Sequence, residues 1–162
     1  MLLEEEIPVE CEIYFADGSI TKMKDWLGNN INFRPQGHGD LGEKLDRAFD
    51  DSFRDGYQNV IIIGSDCPTI STTILATAIK KLADSDLVLG PANDGGYYLI
   101  GLSSLCSHLF ENLPWGSSTM LQETLVIAER SDLSVFLLEE LSDVDRKEDL
   151  SPKLLQSIKD DR

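Results

Sequence analysis

Apolar positions change period several times along the 162-residue chain, and each change marks an element. Residues 11–17, "CEIYFAD", predict a strand, and residues 21–27 a short helix stopped by Gly28-Asn29-Asn30. A second strand is expected at 31–35, "INFRP". From Asp40 onward Leu41, Leu45, Ala48, Phe49 and Phe53 recur at helical spacing until Gly56, an amphipathic pattern with a glycine stop. Residues 60–64, "VIIIG", read as a continuous apolar strand buried on both faces. Ile74, Leu75, Ala78, Ile79 and Leu82 then mark a helix that Ser71 is placed to cap. Residues 86–90, "DLVLG", and 97–102, "YYLIGL", predict two strands separated by the turn formers "PANDGG". A helix over 119–130, a strand over 133–140 and a C-terminal helix beyond Pro152 complete the pattern. Alternating helices and β-branched strands predict an α/β fold, a mostly parallel central sheet with helices on both faces. The length suits one domain, 1–162, without repeats or linkers.

Charge narrows the partners. The chain has 14 basic and 29 acidic residues, a net charge of −15, and such a surface repels a polyphosphate backbone. Nucleic acid is therefore excluded as an expected partner. A small phosphorylated ligand needs a divalent cation to bridge it to carboxylates. Cys11, Cys67 and Cys106 form no Cys-x-x-Cys pair and the two histidines are far apart, which argues against a zinc site or disulfide framework. The first ten residues are acidic where a secretory signal is basic, and no apolar run approaches the roughly 20 residues that cross a bilayer. A cytoplasmic protein without membrane insertion is the expectation.

In open α/β sheets ligands bind beyond the carboxyl ends of strands, where "GSDCPTIS" places Asp66. Ser65 and Asp66 suit an ordinary loop or cap; the alternative is a metal ligand whose turn Pro68 fixes. The loop "GPANDGGYYLIGL" suits a hairpin with positive φ, or a site where Gly95 and Gly96 let a sugar approach the backbone while Asp94 accepts hydroxyl hydrogen bonds. In "LSDVDRKEDL", Glu148 or Asp149 suits a helix cap, and Asp143 and Asp145 are candidates to complete a metal site with Asp66. "RPQGHGDLGEKL" carries three glycines before a helix but no Walker or dinucleotide spacing. "LPWGSST" suits a helix start capped by Ser117 or Ser118, while Trp115 beside a glycine is also a sugar-stacking platform.

Taken in order, "RPQGHGDLGEKL", "VIIIGSDCPTIS", "GPANDGGYYLIGL", "LPWGSSTML" and "DVDRKEDL" closely resemble bacterial glycosyltransferase-like proteins, nucleotide-diphospho-sugar transferases of the GT-A fold. Wider relatives are the phospholactate and molybdenum cofactor guanylyltransferases. The resemblance implies that Asp66 is a metal-binding aspartate after a central strand and Asp145 a second ligand for Mg²⁺ or Mn²⁺. It puts Gln36, Gly39 and Gly42 near a nucleotide base, Asp94, Gly95 and Gly96 near ribose or sugar, and Trp115 facing donor or acceptor. Asp66 and Asp94 would be the catalytic pair. The family's opening strand and Pro-Gly-x-x-Lys-x-Arg-Leu phosphate loop have no counterpart here; Lys22 and Lys24 lie on the wrong helix. The implied function is transfer from a nucleotide-sugar donor to a small acceptor. Nucleotidyl transfer and a non-catalytic truncated relative are the alternatives. With an interior strand missing, either "VECEIYFAD" shifts or two chains associate through exposed edges, a homo-oligomer, and the isolated chain binds a donor without turning it over.

Overall fold

The structure is a computed structural model, and it describes residues 8–142. The chain forms two compact units, Met1–Asp40 and Leu41–Arg162. In the first, strand β1 (Glu12–Phe15) pairs in parallel with β2 (Asn32–Pro35), and helix α1 (Ile20–Leu27) makes the crossover. Ser19 caps α1 by accepting from the Lys22 N–H at 3.3 Å, and Gly28, at φ 89°, donates its N–H to Lys24 O and ends it. Phe15 and Phe33 are this unit's buried aromatic residues, while α1 buries no residue.

The second unit contains helix α2 (Leu41–Arg54), strand β3 (Val60–Ile63), helix α3 (Thr72–Lys81), strands β4 (Leu87–Pro91) and β5 (Tyr97–Leu102), a short 3₁₀ helix (Ser107–Phe110), helix α4 (Met120–Arg130) and strand β6 (Val135–Leu137). Sheet order is β3-β5-β4-β6. β5 runs antiparallel to both β3 and β4, and β4 runs parallel to β6. Three strands therefore share a direction, but the mostly parallel pairing expected from the sequence is corrected by β5. The cause is local: "PANDGG" folds as a tight hairpin, which reverses the chain, whereas a parallel connection needs a crossover of a dozen or more residues.

Both faces of the sheet are covered. On one, Phe49 of α2, Leu109 and Phe110 of the 3₁₀ helix and Ala128 of α4 pack on Leu87, Leu89, Ile100 and Leu102. On the other, Ile74, Ala78 and Leu82 of α3 pack on Val88, Tyr98 and Leu99. Tyr98 and Leu99 share a face because the β4–β5 register shifts by one residue between Gly90 and Pro91, a β-bulge. Ser71 caps α3, accepting from the Ile74 N–H at 3.2 Å. The expected burial of β3 on both faces is not found: β3 lies at an edge among the described residues, with Val60 to Ile62 half-buried and Ile63 exposed. The strand expected over 133–140 is shorter, and the helix expected beyond Pro152 lies outside the described residues.

Two tyrosines at the start of β5 differ in how their hydroxyls are met. Tyr98 Oη donates to Glu139 O at 3.0 Å. Tyr97 Oη is buried without a partner in hydrogen-bonding geometry among the described residues. Burial pushes the Tyr97 phenol up to about 12, the Thr124 hydroxyl opposing slightly. Burial, then the charges of Glu139 and Cys67, push Tyr98 up to about 12. A folded pKa above the unfolded value holds stability in full below about pH 10 and loses it as pH climbs toward 12. Thermal melts over pH 9–12 should show that decline, less steep in Tyr97→Phe. At neutral pH Tyr97→Phe should be neutral or stabilising, because it removes an unpaired polar atom. Tyr98→Phe should cost about 1 kcal/mol for a lost hydrogen bond.

Candidate active site

Because β3, β4 and β6 share a direction, their carboxyl ends lie at one end of the sheet, where an α/β protein leaves backbone groups free for ligand. Beyond β3, Gly64 donates its N–H to Tyr98 O at 3.0 Å, and Ser65 and Asp66 are exposed. The Asp66 carboxylate folds back over Gly64, so that a methyl group added there would lie 2.6 Å from Oδ1. The following turn is closed by Ile70 N–H donating to Cys67 O; the Cys67 side chain is buried in the cluster under α3, while Asp66 is exposed.

Beyond β4, Ala92 N–H donates to Gly96 O and Gly95 N–H to Ala92 O, and Asp94 Oδ1 accepts from the Gly96 N–H at 2.8 Å. One of the two Asp94 oxygens is thus engaged by its own turn. Gly95 is required twice over. Its φ is 92°, and a methyl group there would lie 2.0 Å from Ser118 O. Leu121 N–H also donates to Gly95 O, so the hairpin is fastened to the start of α4.

Beyond β6, Leu141 N–H donates to Pro91 O and Asn93 N–H to Leu141 O, extending the β4–β6 pairing. Asn93 Nδ2 donates to Ser142 Oγ at 3.1 Å, and Cys67 Sγ lies 3.9 Å from Ser142 O. Ser142 is therefore where the stretches after all three strands meet.

The structure thus brings Asp66, Asp94, Gly95 and Gly96 to one end of the sheet. Asp145 lies outside the described residues, three positions beyond Ser142, a distance of at most about 10 Å of extended chain. Trp115 is half-buried with its indole against Gly42: a methyl group on Gly42 would lie 2.8 Å from Trp115 Nε1 and 2.5 Å from Phe110 O. Gly42 is buried by that contact, so packing alone accounts for its lack of a side chain. Gln36 belongs to the first unit, where its N–H donates to Phe15 O and its side-chain amide to Tyr14 O at 3.2 Å. Gly39, at φ 110°, follows it in that unit.

Asn93, Ser142 and Cys67 shape the site without being assigned to it from sequence, and Ser118 was weighed only as a helix cap. Asn93 and Ser142 sat beside chosen residues in polar stretches flanking strands, a signal that was present. The approaches of Cys67 to Ser142 and of Ser118 to Gly95 join distant positions and leave no local pattern.

The stretches 64–71, 92–96, 113–119 and 138–142 contain four acids, Asp66, Asp94, Glu139 and Glu140, and no lysine, arginine or histidine. Such a rim offers hard oxygen donors and no cation, a composition suited to Mg²⁺ or Mn²⁺. Among the described residues no three His, Cys, Asp or Glu side chains gather closely enough to form a site by themselves.

Fold and site together define an α/β protein with an acidic loop cluster at the carboxyl ends of its co-directional strands. The chain belongs to the bacterial family described as "Uncharacterized protein conserved in bacteria (DUF2064)", which matches residues 2–117. It is also similar to a crystal structure from Desulfovibrio desulfuricans G20 that carries the provisional name nucleotide-diphospho-sugar transferase. Identity is 30%, the TM-score is 0.83, and the match covers 96% of this chain and 76% of that one. No curated protein matches the chain. No helix among the described residues is long and apolar enough to cross a membrane.

The two glycines of the hairpin should respond differently to substitution. Gly95→Ala meets both a positive φ and immovable main chain, and should cost at least about 2 kcal/mol in chemical denaturation. Gly96→Ala meets only the Asp94 carboxylate, at 3.2 Å, and should stay within about 1 kcal/mol of the parent.

Proposed function

We propose that the chain is a metal-dependent transferase acting on a nucleoside diphosphate-activated donor such as a nucleotide sugar, with a GT-A type site at the carboxyl ends of β3, β4 and β6. One observation carries this reading: the loop bearing Asp66, the Asn93–Gly96 turn and the stretch leading to Asp145 converge at Ser142. The likeness to a protein named for that chemistry supports it.

Asp66, at the end of an apolar strand, and Asp145 would hold Mg²⁺ or Mn²⁺. The cation, when bound, supplies Lewis-acid stabilisation of charge on the departing diphosphate. The chain's own part is positional and electrostatic. The free oxygen of Asp94 accepts from a ribose or sugar hydroxyl, its other oxygen being fixed by Gly96. The exposed edge of Trp115 packs against the donor or acceptor. No side chain serves as nucleophile, because the acceptor's own hydroxyl attacks and the protein holds it in line.

Calorimetry with a panel of nucleoside diphosphates, in Mg²⁺ or Mn²⁺ and again in chelator, tests the reading. Binding should appear only with the metal. Asp66→Asn should weaken it at least tenfold while shifting stability by no more than about 0.5 kcal/mol, as expected for an exposed side chain. Asp145→Ala should weaken metal-dependent binding severalfold, whereas Asp149→Ala should cost mainly stability, about 1 kcal/mol for a cap. Equal binding with and without chelator would overturn the metal bridge.

A further inference from the structure

A diphosphate held by one cation still presents oxygens that need N–H or O–H donors, because the cation meets only some of them. The loops after β3, β4 and β6, residues 64–71, 92–96 and 138–142, contain no lysine, arginine or histidine, so within them neutral groups must supply those bonds. The side chains able to donate are Ser65, Thr69, Ser71, Asn93 and Ser142. Ser71 caps α3, and Thr69 Oγ1 lies 3.5 Å from Cys67 Sγ. Ser65 has no hydrogen bond among the described residues to fix its rotamer. Ser142 is exposed yet held on several sides. Leu141 before it is tied into the sheet through Pro91 O and the Asn93 N–H, its own carbonyl accepts from the Cys67 thiol at 3.9 Å, and its Oγ accepts from Asn93 Nδ2 at 3.1 Å. A hydroxyl has one proton and two lone pairs. With one lone pair facing Asn93, the proton turns away from that side chain, and no acceptor meets it among the described residues.

We propose that the Ser142 hydroxyl donates to a non-bridging oxygen of the metal-bound diphosphate, and that Asn93 is the positioning residue that aims it. This role rests on the metal-bound donor proposed above and adds the group that meets its phosphates. Cys67 follows Asp66 and Asn93 precedes Asp94, so the free proton stands at the junction of the loop proposed for the cation and the loop proposed for the sugar. In a nucleotide sugar the diphosphate is what joins those two ends. A donor aimed in advance needs no reorganisation when charge builds on the departing diphosphate, so the bond strengthens as transfer proceeds. It is also neutral, which suits a rim that has the cation as its own source of positive charge. The amide at 93 is essential to the sense of the pair. An aspartate there would accept from Ser142 instead, turning the proton inward and adding a charge beside the phosphates.

Calorimetry of the full chain with Mn²⁺ alone, and with inorganic pyrophosphate in saturating Mn²⁺, tests this without reference to base or sugar. Ser142→Ala should bind Mn²⁺ within about twofold of the parent, as expected for an exposed side chain in an intact fold. It should bind pyrophosphate at least about tenfold more weakly, the usual worth of a hydrogen bond to a charged group. Ser142→Thr keeps the hydroxyl and should restore pyrophosphate binding to within about twofold. Asn93→Asp should weaken pyrophosphate at least as much as Ser142→Ala does. Asn93→Ala should weaken it severalfold in the parent and change nothing further in Ser142→Ala, because a residue that acts through another has no effect once that one is gone. Mn²⁺ that fails to bind the parent, or binds Asp66→Asn equally well, overturns the metal reading and this role with it. Where Mn²⁺ binds through Asp66, the role of Ser142 alone is overturned by any of four results: no pyrophosphate binding to the parent, binding unchanged in Ser142→Ala or Asn93→Asp, no rescue by Ser142→Thr, or additive losses from Asn93→Ala and Ser142→Ala.

Discussion

The pairing of β4 with β5 is the constraint on which the second unit depends. β4 is buried along its whole length, with β5 antiparallel on one side and β6 parallel on the other, and it supplies residues to both hydrophobic clusters. A strand in that position cannot shift register by one residue without turning Leu87 and Leu89 to the α3 face and Val88 away from it. The single irregularity it tolerates is the bulge that brings Tyr98 and Leu99 to the same side. Gly90 makes room for it, since a methyl group there would lie 2.4 Å from the Tyr98 ring. Tyr98 then reaches across β4 to Glu139 O and steadies the chain beyond β6. The site end of the sheet inherits its geometry from this hairpin.

Much of the architecture was legible in the sequence, because periodicity reports burial and burial was the organising force. The helical spacing of Leu41 to Phe53, the Ser71 cap and the "YYLIGL" strand appear where the pattern put them. Strand direction was not legible. Apolar runs such as "VIIIG" look the same in a parallel strand, an antiparallel strand and an edge, because the run reports hydrophobicity and not the identity of its neighbour. Only the length of "PANDGG" could have announced the reversal, being too short for a parallel crossover. Asp66 was legible because a carboxylate directly after a buried-looking strand is incongruous. Its meeting with Ser142 was not, since 75 residues separate the Cys67 and Ser142 contacts.

Electrostatics gives the site its character more than any single side chain does. A chain at −15 repels phosphates at long range, and the three loops after β3, β4 and β6 add acids without a compensating cation. Asp86 shows what a purely structural acid looks like in the same unit. It accepts from the hydroxyl and then the backbone N–H of Ser134, interactions that lower its pKa and join the turn before β4 to the one before β6. Asp66 makes no such bond to the protein among the contacts described. It ends a strand, lies exposed and leans over a glycine. The contrast separates an acid that holds the fold from one left available to a ligand.

β3 joins the two halves of this picture, because the strand that delivers Asp66 to the site is also one that, among the described residues, is held to the sheet along a single side. Segments with few buried contacts and exposed hydrogen bonds open most readily, and the opening of β3 would release the Gly64 anchor and with it the carboxylate. By linkage, any ligand that requires Asp66 in its folded position stabilises the closed strand by the same factor by which closure strengthens that ligand's binding. Ligand binding and strand closure are then two views of one equilibrium, the closure of β3 on β5.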